Sequence, residues 1–239
     1  MNKCDAVITV SQYEKDYLGK KGIPHEKLYV TGNAIHPEQY TPVNLENYKV
    51  ALMSKYNISE KDKIVIFIGR KTKEKGVSNL IEAVSGLCHT MPLKLFLLGP
   101  SIDWYENYYA QLSTKVKEYI IDLGVVSHQD KINLLHLSDL LVLPSQYEAF
   151  GIVFLEAWIC GVPVMGTTEG AMPSIIGEDG FLCKFGDTEY LMTKLSMALN
   201  SPDALKQKGS SGKRKVLQRY TWDIIGMKAE EAIKAAYDN

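Results

Sequence analysis

Residues 139–170, DLLVLPSQYEAFGIVFLEAWICGVPVMGTTEG, decide how this chain is read. Leu140 to Leu143 is a short apolar run stopped by Pro144, as expected of a strand buried on both faces of a parallel sheet. Ile152 to Cys160 has helical length and is closed by Gly161, and Val162 to Met165 is again a strand-forming run. The stretch therefore reads as strand, loop, helix, strand. Glu148 and Glu156 stand within it, with Phe150 and Gly151 between them. A membrane span over residues 149–166 is excluded, because a mid-run glutamate followed by Gly161 and Pro163 is wrong for a helix facing lipid.

On this reading Phe150-Gly151 opens the helix, whose first backbone N–H groups lack intrahelical acceptors and are free to hold an anion. Glu148 precedes the helix, and Glu156 lies roughly 6–8 Å along its axis. A carboxylate in so apolar a run is costly to bury without partners, which argues against two incidental acids. The arrangement suits a ligand with negative charge in its middle and hydroxyls at both ends, such as a nucleotide-sugar.

Composition sets the outer bounds. At 239 residues with 46% apolar content, the chain is long enough for one large α/β domain, or one domain and part of another. A net charge of −1 gives no general attraction to nucleic acid or anionic membranes. Cys4, Cys88, Cys160 and Cys183 form no CxxC pair, so reduced thiols in a cytoplasmic protein are expected. Met1 leads almost directly into a strand-like run, so no signal peptide is expected.

In chain order, Asp5 to Val10 predicts a strand, Ser11 to Glu14 matches a capping box that starts a helix to about Leu18, and Lys27 to Val30 predicts a second strand. Residues 36–47 are polar, contain Pro37 and Pro42, and read as a linker. The about 35 residues before it are too few to fold alone. The division expected is 1–44, the tail of an N-terminal domain with its linker, and 45–239, a second domain whose last helix packs back on the first part.

After a helix over 45–56, strands are predicted at 63–68 and 93–98, with a helix at 77–88 between them. A long helix is predicted over Tyr105 to Asp122, a short strand near Val125-Val126, and a helix over 130–137. Beyond the opening stretch come a strand at 181–184 and helices at 188–200, 203–219 and 222–237. Such alternation indicates an α/β fold with a Rossmann-like, doubly wound parallel sheet.

Ligands of such sheets bind outside the carboxyl ends of the strands. Gly69, Arg70 and Lys75 fall there, as do Gly99, Ser127 and the loop from Ser145 to Gly151. Arg70 and Lys75 are the natural cations for a diphosphate, the first as a bidentate fork and the second as a mobile point charge. Lys71 and Lys73 read as solvated loop residues. Trp104, Tyr105, Tyr108 and Tyr109 read as packing groups, and the basic cluster from Lys206 to Arg219 as a solvated helix face. No GxGxxG follows the strand at 63–68, and Gly209 to Lys213 has the wrong spacing for a P-loop.

Together, IFIGRKTKEKGVSNLIEAV at 66–84, LFLLGP at 95–100, the Glu148-to-Glu156 pair, GVPVMGTTEGAMPSII at 161–176 and GFLCKFGD at 180–187 resemble the family 4 retaining glycosyltransferases. The glutamate pair matches that family's EX7E motif. The resemblance covers nearly the whole chain and implies a two-lobed GT-B architecture. It implies that Arg70 and Lys75, with the backbone near Phe150, Gly151 and Ile152, hold the donor diphosphate. Glu156 would bind the ribose hydroxyls, Glu148 would contact the donor hexose, and Gly69, Gly99 and Ser127 would line the donor site. The implied reaction transfers a hexose from a nucleotide diphosphate sugar to an acceptor hydroxyl with retention, without a metal ion or other cofactor.

The chain departs from the family pattern at Asn33-Ala34-Ile35-His36, at Ala149, at Ser174 and at Gly99-Pro100-Ser101, which lacks an acidic partner. Ala149 adds a methyl close to the donor and is expected to narrow the hexose pocket. The resemblance assigns residues 1 to about 40 to the end of an acceptor domain. The chain is then expected to bind a nucleotide-sugar but to transfer little without a complementary N-terminal half. The expected acceptor is a sugar, a lipid-linked sugar or a protein glycan, and no nucleic acid. The expected setting is the cytoplasm or a membrane periphery. The alternative from another class is a non-catalytic nucleotide-sugar-binding subunit. A glycoside hydrolase is disfavoured because it leaves Arg70 and Lys75 without a role, and a nucleotide-sugar epimerase because of the EX7E match.

Overall fold

The computed structural model describes residues 4–237. A small N-terminal part comprises β1 (Val7–Thr9), α1 (Gln12–Lys20) and β2 (Leu28–Val30), with the two strands parallel. Ser11 caps α1 by accepting from the Glu14 N–H at 3.2 Å, and the Glu14 carboxylate accepts from the Val10 N–H at 2.8 Å. A 3₁₀ turn, Pro37–Tyr40, leads to α2 (Leu45–Tyr56).

The main body is a six-stranded, all-parallel sheet built from β3 (Lys63–Ile68), β4 (Leu93–Leu98), β5 (Ile120–Gly124), β6 (Leu140–Val142), β7 (Val164–Thr167) and β8 (Phe181–Cys183). Its strand order is β5-β4-β3-β6-β7-β8. Strands β4 and β6 are buried at every position, because helices cover both faces; β6 therefore reads as an unbroken apolar run, and β4 departs from one only at Lys94, whose Nζ donates to the Glu118 carbonyl at 2.9 Å. The connecting helices are α3 (Val77–Leu87), α4 (Asp103–Gln111), α5 (Thr114–Lys117), α6 (His128–His136), α7 (Ile152–Ile159), α8 (Met172–Ile176) and α9 (Thr188–Leu199). On α3, Val77, Leu80, Ile81, Val84 and Leu87 form the apolar stripe that faces the core.

The long helix expected over 105–122 is not present. Helix α4 ends at Gln111, Ser113 caps the single turn of α5, and Ile120–Gly124 is an edge strand paired with β4. The strand expected near Val125-Val126 lies a few residues earlier for the same reason. Asp122 gives Ile120–Leu123 a polar centre, and its side-chain partners, Lys71 from the loop after β3 and Tyr105 from α4, are ones that a local pattern does not reveal.

Two long helices close the chain. Helix α10 (Pro202–Arg219) lies on α7, and α11 (Trp222–Tyr237) runs back to the N-terminal part. The Ile35 N–H donates to the Tyr220 carbonyl at 3.0 Å, Ile35 bridges Thr221, and the rings of His36 and Trp222 lie 6.1 Å apart. Among the described residues no helix is long and apolar enough to cross a membrane.

Candidate functional site

In a sheet of this order successive strands are added outward on one side of β3 and then, from β6, on the other, and the crevice above the carboxyl ends of β3 and β6 is where ligands of such folds sit. The loop after β3 carries Gly69, Arg70 and Lys75, and the loop after β6 carries Glu148, Phe150 and Gly151. Lys75 Nζ lies 2.5 Å from Glu148 Oε1, so one ion pair spans the crevice. The two side chains are 21% and 14% exposed, which makes the pair partly shielded from water while leaving it accessible to a ligand.

Backbone contacts fix these loops against one another. The Gln146 N–H donates to the Glu74 carbonyl at 2.7 Å, and the Ala171 N–H donates to the Glu148 carbonyl at 3.0 Å. Thr167 Oγ1 donates to the Ser145 carbonyl at 2.7 Å, which joins the loop after β7 to the same cluster. Gly76 caps α3 at φ 69° and packs so closely on the Pro144 carbonyl that a Cβ there would collide with it. Gly99, at φ 122°, approaches the Gly69 carbonyl equally closely. Larger side chains at either position would push the loops apart.

The ends of β3, β4 and β5 are laced in the same way. The Gly69 N–H donates to the Leu98 carbonyl at 2.9 Å, the Lys71 N–H to the Pro100 carbonyl at 3.0 Å, and the Gly99 N–H to the Gly124 carbonyl at 2.7 Å. Arg70 stands exposed at this edge, and among the described residues its guanidinium makes no hydrogen bond or ion pair. Helix α7 begins after Gly151, and the N–H groups of Gly151, Ile152 and Val153 have no protein acceptor among the described residues. Phe150 is buried edge-on against Tyr220, with ring centres 5.4 Å apart, which anchors the turn just before those free donors.

About one turn into α7 the second glutamate, Glu156, is not free. Glu156 Oε1 accepts from Lys131 Nζ at 2.6 Å and from the Tyr40 hydroxyl at 2.8 Å. Burial first, and then the adjacent carboxylate, push the Tyr40 phenol pKa far up, so its hydroxyl remains a donor. Ser127 caps α6, accepting from the Asp130 N–H at 3.0 Å and donating to the Asp130 carboxylate at 2.6 Å. Ser174 donates to the Ala171 carbonyl at 2.8 Å, a local turn bond made without an acidic side chain, and Ala149 is exposed on the loop after β6.

Lys71 corrects the expectation of a solvated loop residue. Its side chain is fully buried, with Nζ 2.5 Å from Asp122 Oδ1 and 3.4 Å from Ser101 Oγ. The Tyr105 hydroxyl donates to the other Asp122 oxygen at 2.7 Å, so this aromatic is a packing group with a polar tie. Lys73, in contrast, is exposed, over the Trp104 ring at 5.2 Å. Sequence reasoning missed Lys71, Asp122, Tyr40 and Lys131. The available signals were a lysine directly after Arg70, an acid inside a β-branched run and a tyrosine closing a polar segment. Among the described residues no group of three or more His, Cys, Asp or Glu side chains could hold a metal ion.

Residues 49–215 match the family model described as glycosyl transferases group 1. The chain is 31% identical over 177 residues to the N-acetyl-alpha-D-glucosaminyl L-malate synthase of Bacillus anthracis, covering 73% of this chain and 46% of that protein. Its fold superposes on a glycosyltransferase from Rickettsia africae with a TM-score of 0.85 at 24% identity, over 98% of this chain and 64% of the other. Anabaena HepE, solved in complex with UDP, gives a TM-score of 0.85 at 21% identity, over 97% and 64% of the two chains. The chain therefore spans from about half to under two thirds of the length of these proteins, and its sheet and helices are those of a GT-B glycosyltransferase. It belongs to the glycosyl transferases group 1 family.

Proposed function

We propose that this chain is the donor-binding half of a retaining family 4 glycosyltransferase, one that transfers a hexose from a nucleotide diphosphate sugar to an acceptor hydroxyl. The observation that carries the reading is the Lys75–Glu148 pair across the switch point, beside the unused N–H groups that open α7. Cations and free donors then converge on the same place as a carboxylate.

On this reading Arg70, Lys75 and the backbone of Phe150, Gly151 and Ile152 hold the diphosphate. Departure of the sugar leaves negative charge on that diphosphate, and preorganised donors aimed at developing charge lower the barrier. The N-terminal end of α7 adds the positive pole of its dipole. Lys75 exchanges part of its contact with Glu148 for phosphate oxygen, which frees the carboxylate to accept from hexose hydroxyls. Glu156 binds the ribose, while Gly69, Gly99 and Ser127 line the donor's path toward the base. The reading gives the reaction no metal ion or other cofactor. Acceptor binding falls to a complementary N-terminal half, and the protein works in the cytoplasm or at a membrane surface.

HepE was solved with UDP, which makes uridine nucleotides the first to try. Calorimetric titration with uridine, guanosine and adenosine diphosphate sugars tests the reading. Saturable binding to at least one, lost in Arg70→Ala and in Glu156→Ala, supports it. Heats of dilution alone across the panel would remove it.

A further inference from the structure

Glu156 is the charged residue in an apolar helix whose Phe154, Leu155, Ala157 and Trp158 are all fully buried. Its own side chain is 12% exposed, so its charge needs partners. Both partners, Lys131 Nζ and the Tyr40 hydroxyl, reach the same oxygen, Oε1. A carboxylate has about four acceptor positions over two oxygens. Among the described residues no donor reaches Oε2. The protein therefore saturates one oxygen and leaves the other for something else.

Tyr40 is itself fixed by neighbours other than Glu156, and Lys131 is carried by a capped helix. Tyr40 is buried, sets its ring edge-on to His128 at 5.6 Å, and its carbonyl lies 3.0 Å from His136 Nε2. Three residues on, Asn133 clamps Val43 from both sides: its Oδ1 accepts from the Val43 N–H and its Nδ2 donates to the Val43 carbonyl, each at 3.0 Å. Lys131 and Asn133 both stand on α6, whose first turn is capped by Ser127. The segment between the N-terminal part and α2 is thus pinned to α6, and through Tyr40 it touches α7.

We infer that Tyr40 and Lys131 are positioning residues that lock Glu156 Oε1 and present Oε2 to a vicinal diol, the 2′- and 3′-hydroxyls of a bound nucleotide. This rests on the proposed donor site, in which Glu156 faces the ribose. Two hydroxyls donating to one carboxylate oxygen bind more tightly when that oxygen is held in place beforehand. Lys131 supplies the charge that keeps the carboxylate in place, and Tyr40 supplies the direction. Recognition of the ribose then depends on a residue from the connecting segment, outside the six-stranded sheet.

Titration of UDP, GDP and ADP, each against its 2′,3′-dideoxy analogue, reads the diol alone. The protein is expected to bind at least one ribonucleotide about tenfold more tightly than its dideoxy partner, the scale of a hydrogen bond to a charged group. Tyr40→Phe and Lys131→Met should each shrink that ratio at least threefold while changing the dideoxy affinity less than twofold. Lys131→Arg should restore most of the ratio. A general loss of folding would lower both affinities together, and Tyr40→Phe, which removes a single hydroxyl, guards against it. A wild-type ratio near one, or a full ratio surviving in both Tyr40→Phe and Lys131→Met, overturns the inference while the donor site stands. Binding of none of the three ribonucleotides by the wild type overturns the donor site and this inference with it.

Discussion

Lys71 Nζ sits 2.5 Å from Asp122 Oδ1, and the lysine side chain is wholly buried while the aspartate keeps 19% exposure. The pair ties the loop that carries Arg70 to the edge strand β5, across the end of β4. Its asymmetry gives an ordered prediction. Asp122→Ala leaves a buried ammonium without its counterion, and breaking such a pair typically costs about 3–5 kcal/mol. Lys71→Met leaves a partly exposed carboxylate that still accepts from Tyr105 and from the Gly124 N–H. Urea unfolding should therefore find Asp122→Ala the less stable variant, and the reverse order would show that the charge on Lys71 is not what the aspartate is for.

Arg70 and Lys75 should separate by their effect on the empty protein. Arg70 is exposed and unpaired among the described residues, so Arg70→Ala should leave the melting temperature unchanged. Its loss should weaken nucleoside diphosphate binding about 10- to 100-fold, as a charged hydrogen bond of about 1.5–3 kcal/mol implies. Lys75→Ala should show a similar loss of affinity together with a lower melting temperature, because it strips Glu148 of its 2.5 Å partner. In a complete enzyme each substitution should cut turnover by about 100-fold or more, on the scale of one lost transition-state donor at about 3 kcal/mol. Normal turnover in either variant would remove that residue from the site.

These residues also mark how far the sequence could be read. Strands β3 and β4 were legible to the residue, because each is an apolar run with a single lysine, Lys63 at the start of β3 and Lys94 near the start of β4. The glutamate pair was legible because its spacing is local. Helix–strand confusion over 105–122 arose where the pattern was mixed: tyrosines and lysines at helical spacing run into an edge strand with Asp122 inside it. Lys71 and Tyr40 were illegible for a different reason. Each looks solvated beside its sequence neighbours, and each is buried by a contact with a residue far along the chain, Asp122 in one case and Glu156 in the other. A polar residue's burial is set by that distant partner, which no window of neighbours contains.

Cys160 and Cys183 should make the fold sensitive to alkali. Burial, helped in Cys160 by Glu156, pushes both thiols from 9.0 up to about 12. Below pH 9 both thiols are protonated in the folded and the unfolded chain and contribute no pH dependence. Between pH 9 and about 12 the unfolded chain loses protons that the folded chain retains, so stability falls as pH rises. The limiting slope is about 1.4 kcal/mol per pH unit for each thiol. Other groups titrate in this range, so the informative quantity is the difference between the wild type and a Cys160→Ala/Cys183→Ala double variant. Unfolding midpoints measured from pH 8 to pH 11 should fall less steeply in the variant, and parallel curves would show that these thiols are not coupled to folding.

Gly212 offers a test in which packing opposes local propensity. It lies inside α10, where alanine is intrinsically better than glycine by about 1 kcal/mol. A Cβ at this position would run into the Trp158 ring of α7, and one at Gly209 into the Gly161 carbonyl, so the two glycines let α10 lie directly on α7. Trp158 is fully buried, and Lys215, one turn further along α10, sits 5.3 Å from its ring. Gly212→Ala is thus expected to destabilise by about 1–3 kcal/mol, the usual cost of overpacking, despite its gain in helix propensity. Gly226, in α11, has open space around it and serves as the control. Thermal melts should show Gly226→Ala neutral or stabilising and Gly212→Ala lowered, with a change in Trp158 fluorescence. A stabilised Gly212→Ala would mean that α10 and α7 have room to separate, and that the helix carrying Glu156 is less firmly seated than its packing implies.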